Sequence, residues 1–173
     1  HALDAAKLLE FLQATQPDAV RELGIAQAGP KRLQFFHRLQ GELSKRGVVD
    51  VLRNGVNIYP VNGLALFYGA PTPGNTLAAA RFAANIFSVT RQLRYSRDNT
   101  RLALDFALFI NGLPVATFEL KNSLTKQTVD DAVEQYKRER DPKELLFQFG
   151  RCAVHFAVDD QQVWMCPELK GKA

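Results

Sequence analysis

Apolar residues in the first part of the chain recur at helical spacing. The predicted helices cover residues 4–12, 17–23, 31–46 and 48–53. Each has apolar positions three or four residues apart, and Pro17 separates the first two helices. Asn54-Gly55 ends the last helix, and a loop rich in proline and glycine follows at residues 69–75. We therefore expect a helical N-terminal part over residues 1–55.

From Ile86 onward the apolar positions alternate, as is typical of strands. The predicted strands cover residues 86–95, 101–110, 115–121, 152–158 and 161–165. A helix over residues 128–140 separates the third strand from the fourth, with Thr128 as N-cap and Asp131 three positions on, a variant of the capping box. Because short turns join the first three strands and a helix leads to the fourth, the pattern predicts an α/β fold with a mixed central sheet flanked by helices.

Length and composition are those of one globular unit. The chain has 173 residues, of which 46% are hydrophobic and 23% charged, and this balance excludes a disordered chain. No run approaches the roughly 18 apolar residues of a membrane span, and the N-terminus lacks the basic-then-apolar order of a signal peptide. We expect a single domain over residues 1–173 that is located in the cytoplasm and has no membrane contact.

The positive charge of the chain favours a polyanionic partner such as nucleic acid. The formal net charge is +4 and the pI is near 9.2. Basic residues flank Asp105, and these are Arg91, Arg94, Arg97, Arg101, Lys121, Lys126, Lys137, Arg138 and Arg140. The arrangement predicts a basic surround that holds a phosphate backbone close to acidic groups. The alternative for Arg138 and Arg140 is ion pairing on the helix surface, with Glu134, Glu139 or Asp141.

The cysteines and histidines form no metal-binding or nucleophilic motif. Cys152 and Cys166 stand apart on strand-like segments without C-x-x-C spacing, so we expect reduced, structural thiols. His1, His37 and His155 are too scattered for a metal cluster, and we assign none of them a catalytic role.

The second and third predicted strands carry ionisable residues in a pattern that suits catalysis. Asp105 alternates with Leu104 and Phe106, and its neighbours on its own face are small alanines. Glu119 and Lys121 are two residues apart on the third strand, so their side chains share one face. A carboxylate and an ammonium group therefore emerge together.

The loop between these two strands decides whether Asp105 joins them. A two-residue loop at 111–112 pairs Glu119 with Leu104 and turns Asp105 to the wrong face. A three-residue loop at 111–113 pairs Asp105 directly with Glu119, with Cβ atoms about 4.5–5.5 Å apart. We predict the three-residue loop.

Two carboxylates at that separation repel each other unless a cation compensates. Mg²⁺ prefers oxygen ligands, polarises phosphoryl oxygens and activates water, while Lys121 orients the water or offsets transition-state charge. The reaction indicated is phosphodiester hydrolysis. A lone E-x-K is also common on a solvated strand face, and an ion pair that only stabilises the fold has the same residue pattern.

The run D-F-A-L-F-I-N-G-L-P-V-A-T-F-E-L-K-N at residues 105–122 resembles a known nuclease core. It is similar to the D…E-x-K core of the restriction-endonuclease-like superfamily, in the form carried by type I restriction enzyme R subunits. R-Q-L-R-Y-S at 91–96, A-V-E-Q-Y-K-R-E-R-D-P at 132–142 and, more loosely, T-Q-P at 15–17 resemble the same family. The match covers about residues 85–172.

The resemblance implies a restriction-endonuclease-like core at about residues 85–170 and a role for each motif residue. Asp105 and Glu119 are implied metal ligands, together with the main-chain carbonyl of Leu120. Lys121 is the implied catalytic lysine, and Gln135 matches a glutamine that contributes to the site. Some members carry a tyrosine four residues after that glutamine. Here the residue four positions after Gln135 is Glu139. Tyr136, which directly follows Gln135, lies on an apolar stripe, so we expect Tyr136 to pack against the sheet.

The implied function is Mg²⁺-dependent cleavage of double-stranded DNA in an ATP-dependent type I restriction–modification complex that defends against phage. The implied partners are DNA and the methyltransferase and specificity subunits. The chain contains no G-x-x-x-x-G-K-[S/T] loop, so we expect a fragment of a longer subunit without the ATP-driven motor. The alternatives are a non-catalytic DNA-binding or docking module with the nuclease fold, and an independent repair nuclease or junction resolvase.

Overall fold

The first part of the chain is helical, as its apolar spacing predicts. The computed structural model describes residues 2–96 and 98–170. The helices of this part are α1 (Ala5–Thr15), α2 (Pro17–Leu23), α3 (Pro30–Arg46) and α4 (Val48–Asn54). Pro17 begins α2 at its first position, and Gly24 ends it with a left-handed φ of 66°. The apolar faces of these helices form a first hydrophobic cluster, with Leu8, Phe11, Phe35 and Leu39 among its buried members.

Residues 56–83 contain elements that the apolar pattern did not predict. They are strands β1 (Val56–Ile58) and β2 (Val61–Leu64), which pair antiparallel, and helix α5 (Thr76–Ala83). The strands are too short to show a clear alternation. Helix α5 is eight residues long and buries none of them, and the Asn75 side chain caps it by accepting from the Ala78 N–H at 2.9 Å.

A five-stranded sheet occupies the second part of the described chain. Its strands are β3 (Phe87–Arg94), β4 (Ala103–Ile110), β5 (Leu113–Leu120), β6 (Val154–Val158) and β7 (Val163–Cys166), in that spatial order. All neighbours pair antiparallel except β5 and β6, which are parallel. Helix α6 (Val129–Glu139) makes the crossover between those two strands. The predicted α/β fold, a mixed central sheet flanked by helices, is confirmed.

Helix α6 packs on the sheet through the stripe that its sequence predicts. Val129, Ala132 and Tyr136 are buried in a second hydrophobic cluster, which also contains Leu104 of β4 and Ala157 of β6. At the N-terminus of α6, the side chain of Asp131 accepts a hydrogen bond from the main-chain N–H of Thr128 at 2.8 Å, as the predicted capping box requires. The helix is therefore placed by its apolar face and started by its cap.

A buried polar chain fastens α6 to the centre of the sheet. The hydroxyl of Thr117 on β5 lies 2.9 Å from the hydroxyl of Tyr136 and 2.7 Å from Nδ1 of His155 on β6. Burial raises the pKa of Tyr136 and lowers the pKa of His155 to about 4. Both groups therefore stay neutral near pH 7. The prediction that Tyr136 packs against the sheet is confirmed.

Cys152 is buried and Cys166 half-buried, and both are free thiols. His1 and Arg97 lie outside the described residues. No helix within residues 2–96 and 98–170 is both long and apolar enough to cross a membrane.

Candidate functional site

The hairpin that carries the predicted site turns through two residues, not three. Ile110 pairs with Leu113, so the loop consists of Asn111 and Gly112 alone, and the predicted three-residue loop is wrong. Both loop residues have positive φ, 49° and 79°, as two-residue hairpins of this kind require. The buried side chain of Asn111 holds the turn by donating to the carbonyl of Leu66 at 2.8 Å and accepting from the N–H of Ile86 at 2.7 Å.

A β-bulge restores the register that the shorter loop would lose. Phe109 pairs with Pro114, but the next pair is Leu108 with Ala116, so Val115 is an extra residue on β5. Proline lacks the N–H that a regular ladder needs, which favours an irregularity at this point.

Beyond the bulge the strands continue in the register that the site needs. The main-chain pairing of β4 with β5 ends at Phe106 with Phe118, one residue before Asp105 and Glu119. Asp105 nevertheless lies close enough to Glu119 to raise the pKa of that carboxyl group, and the bulge rather than the loop length sets the register of the two strands.

Asp105 lies where β4 and β5 stop pairing through their main chains. Its Oδ2 accepts a hydrogen bond from the main-chain N–H of Leu120 at 2.6 Å, and its Oδ1 accepts from Nε2 of Gln92 at 3.3 Å. Gln92 has a φ of 48°, unusual within a strand. Leu104 packs in the cluster around α6, whereas Phe106 stacks on Phe118, so the strict alternation predicted for β4 is interrupted at Asp105.

Glu119 is nearly inaccessible, with 1% of its surface exposed. Its Oε1 accepts a hydrogen bond from Nε of Arg140 at 2.7 Å, whereas Oε2 is buried without a hydrogen-bond partner among the described residues. Burial raises the pKa of Glu119 to about 7; the nearby Arg140 opposes this rise and Asp105 adds to it. The site thus contains a buried carboxylate with one satisfied and one unsatisfied oxygen.

Lys121 follows the end of β5 and meets the helix that crosses over the sheet. Its Nζ donates a hydrogen bond to Oε1 of Gln135 on α6 at 2.6 Å, and its main-chain N–H donates to the carbonyl of Val158 at 2.8 Å. The ammonium group lowers the pKa of Glu119, although less than Arg140 does. The structure therefore brings the four predicted catalytic residues, Asp105, Glu119, Lys121 and Gln135, to one end of the sheet.

The two arginines at the end of α6 have different environments, and sequence analysis was wrong for one of them. Arg138 pairs with Glu134 on the helix surface at 2.6 Å, as the ion-pair alternative predicted. Arg140 is 3% exposed and binds Glu119, so it belongs neither to a basic DNA-binding surface nor mainly to pairing with Glu139, 3.9 Å away. One sequence signal existed, because Arg140 follows Tyr136 by four residues and so extends the buried stripe of α6.

The donors near Glu119 suit a hard divalent cation. Within the described part of the chain, no group of three or more His, Cys, Asp or Glu side chains could hold a metal ion. The available oxygens are those of two carboxylates, Asp105 and Glu119, and the main-chain carbonyl of Leu120. Mg²⁺ is commonly bound through only one or two carboxylates and completes its shell with water and substrate phosphate, so this smaller donor set fits it. Among these oxygens, Oε2 of Glu119 has no hydrogen-bond partner within the described residues and is free to accept such an ion.

The comparison with protein families identifies the relatives of this chain. Residues 29–173 match the family model described as type I restriction enzyme R protein N terminus (HSDR_N). The chain belongs to this family. The matched part includes the whole five-stranded sheet, α6 and every predicted site residue.

Two curated relatives come from Methanocaldococcus jannaschii and are provisionally named type I restriction enzyme endonuclease subunits, MjaVIIIP and MjaIXP. MjaVIIIP is 32% identical over 71 residues and MjaIXP is 34% identical over 73 residues. Each match covers 40% of this chain and 7% of the relative, so the chain spans only a small part of their length. No solved structure matches the chain.

Proposed function

We propose that this R protein N-terminal domain is a Mg²⁺-dependent endonuclease with a restriction-endonuclease-like core, which cleaves the phosphodiester bonds of double-stranded DNA. The observation that carries the proposal is Oε2 of Glu119, buried without a hydrogen-bond partner among the described residues. A buried carboxylate oxygen without a partner costs free energy. A cation at this oxygen would supply the missing interaction, and the nearby Asp105 carboxylate would share it.

The proposed ligands of Mg²⁺ are Asp105, Oε2 of Glu119 and the main-chain carbonyl of Leu120. When bound, the ion supplies Lewis-acid polarisation of a phosphoryl oxygen and lowers the pKa of a water molecule. The hydrogen bond from the Leu120 N–H to Asp105 supports this assignment, because it holds that carboxylate against the segment that bears the other two ligands.

Lys121 and Gln135 act on the phosphate and the water. In hydrolysis the water oxygen bonds to phosphorus, one P–O ester bond breaks, and the proton lost by the water balances the proton gained by the departing oxygen. The Nζ of Lys121 donates to the attacking water or to a phosphate oxygen and offsets the charge that accumulates there. The 2.6 Å hydrogen bond from Nζ to Oε1 of Gln135 holds this ammonium group beside α6.

The wider role in our proposal follows from the family. The domain cuts DNA within a type I restriction–modification complex for phage defence, together with methyltransferase and specificity subunits. ATP drives a separate motor of the full R protein, and the specificity subunit selects the DNA sequence. The names of the two archaeal relatives support the endonuclease assignment.

A second candidate is a DNA-binding or docking module that retains the fold without catalysis. The buried ion pair between Glu119 and Arg140 favours it, because a carboxylate neutralised by a guanidinium has less need of a metal. The two candidates differ in what removal of Glu119 does: a catalytic ligand is required for cutting, whereas a structural ion pair is required only for stability.

The test is ATP- and Mg²⁺-dependent cleavage of plasmid DNA by the assembled complex. We expect Asp105→Asn, Glu119→Gln and Lys121→Ala to translocate DNA like wild type but to cut at least about 100-fold more slowly. Glu134→Gln, on the exposed face of α6, is the control and should cut normally. Normal cutting by the three site variants would leave the docking module as the function of this domain.

A further inference from the structure

The side chain of Arg140 contacts β4, β5 and the residue that follows β3. Arg140 directly follows α6, yet its side chain is 2% exposed. Nε donates to Glu119 at 2.7 Å, Nη2 donates to the carbonyl of Ala103 at 2.9 Å, and Nη1 donates to the hydroxyl of Tyr95 at 3.0 Å. The guanidinium also lies over the ring of Tyr95, 5.5 Å from its centroid. Each nitrogen of the guanidinium therefore has a defined partner.

The contact with Glu119 uses only one of the two carboxylate oxygens. Both Nε and Nη2 of Arg140 lie 2.7 Å from Oε1, while Oε2 remains without a hydrogen-bond partner among the described residues. An arginine and a carboxylate that serve only stability gain more from the two-oxygen fork, in which each oxygen accepts one N–H. The arrangement seen here leaves one buried oxygen unsatisfied, which is costly unless another group uses it.

The hydrogen bonds to Tyr95 and Ala103 hold the guanidinium of Arg140 in place. The fixed guanidinium therefore limits the rotation of the Glu119 carboxylate. We propose that Arg140 is a positioning residue, which fixes Oε1 of Glu119 so that Oε2 is presented to the metal site. The inference rests on the proposed nuclease function, because the presentation of Oε2 matters only if a metal ion binds to it. Loss of such supporting hydrogen bonds around a metal ligand typically weakens metal binding about 10- to 100-fold.

The test measures Mn²⁺ binding by electron paramagnetic resonance in the full R protein without nucleotide. Arg140→Lys retains the positive charge but loses the planar fork. We expect it to bind Mn²⁺ about 10- to 100-fold more weakly than wild type. Arg138→Lys is the matched control, since Arg138 pairs with Glu134 on the exposed face of the same helix, and it should bind Mn²⁺ like wild type. A folded Arg140→Lys protein with wild-type Mn²⁺ affinity would overturn the inference.

A milder variant covers the case in which Arg140→Lys does not fold. Tyr95→Phe removes only the hydroxyl that accepts from Nη1 of Arg140, and it keeps the ring beneath the guanidinium. We expect it to fold and to bind Mn²⁺ several-fold more weakly than wild type. If Arg140→Lys does not fold, a folded Tyr95→Phe protein that binds Mn²⁺ as tightly as wild type would contradict the positioning role.

Glu119→Gln separates the failure of this inference from the failure of the proposed function. If Glu119→Gln loses Mn²⁺ binding while Arg140→Lys keeps it, the metal site stands and only the role of Arg140 is wrong. If Glu119→Gln binds Mn²⁺ as tightly as wild type, Glu119 is not a ligand, and the proposed function fails together with the inference.

Discussion

The buried His155 should make the stability of this domain fall in acid. Its ring is 2% exposed, and Nδ1 lies 2.7 Å from the hydroxyl of Thr117. Burial lowers the pKa of His155 from 6.5 to about 4, so the unfolded chain takes up the proton before the folded one does. The stability contributed by the neutral ring is therefore complete above about pH 6.5 and is lost progressively as the pH falls toward 4.

The two pKa values set the size of the effect. A difference from 6.5 to about 4 corresponds to at most about 3.4 kcal/mol, since each pH unit is worth about 1.4 kcal/mol. At pH 4.5 the folded ring is still mostly neutral, and the loss relative to pH 8 is about 2.5 kcal/mol. Protonation of Glu119 has the opposite effect on stability. The pKa of Glu119 is raised from 4.5 to about 7, so the folded state binds a proton at this carboxyl group before the unfolded state does.

A comparison of variants isolates the histidine from Glu119. The free energy of unfolding is measured by urea titration with far-UV circular dichroism at pH 8, 6.5, 5.5 and 4.5. His155→Asn offers a neutral amide to Thr117, so we expect wild type to lose about 2.5 kcal/mol more than this variant between pH 8 and 4.5. His37→Asn, at an exposed position on α3, should follow wild type. If the wild-type and His155→Asn curves stay parallel down to pH 4.5, His155 is not held neutral by burial.

Three further results are expected. Gly112→Ala should lower the free energy of unfolding by about 2 kcal/mol or more in urea titration, because the added methyl group would clash with the main-chain oxygen of Asp4 at the start of α1. Gly63 also has a left-handed φ, but an added methyl group would meet open space, so Gly63→Ala should lower the free energy of unfolding by less. An equal loss in the two variants would show that the clash at Gly112 is not the cause. Gln135→Ala should slow plasmid cleavage about tenfold while the exposed Glu134→Ala does not; equal rates would remove Gln135 from the site. Burial raises the pKa of Cys152 to about 12, so mass spectrometry should find it unmodified by iodoacetamide until the protein unfolds, and rapid native labelling would contradict this.

Local sequence patterns were enough to predict much of the second half of the chain. Helix α6 was predictable because its apolar stripe and its Thr128–Asp131 cap lie within one element. The shared face of Glu119 and Lys121 was predictable for the same reason, since the two-residue period of a strand is a property of its backbone. The short strands β1 and β2 were not predictable, because three or four residues are too few to show a period.

The contacts that organise the candidate site depend on residues far apart in sequence. Hairpin parity alone gave the wrong loop, since the length of the loop and the bulge at Val115 compensate for one another. The choice between them depends on packing around Asn111, whose partners come from segments 25 and 45 positions away. Local propensity carries no information on such partners.

The sequence by itself determined helices α1–α4 and α6, the five strands of the main sheet, the face on which Glu119 and Lys121 emerge, and the resemblance that names the family. Only the tertiary structure decided that Arg140, 21 positions from Glu119, binds one carboxylate oxygen and leaves the other without a partner among the described residues. The physical reason is that periodicity is set by backbone geometry within an element, whereas the pairing of buried charges is set by how elements pack, where an uncompensated charge is costly.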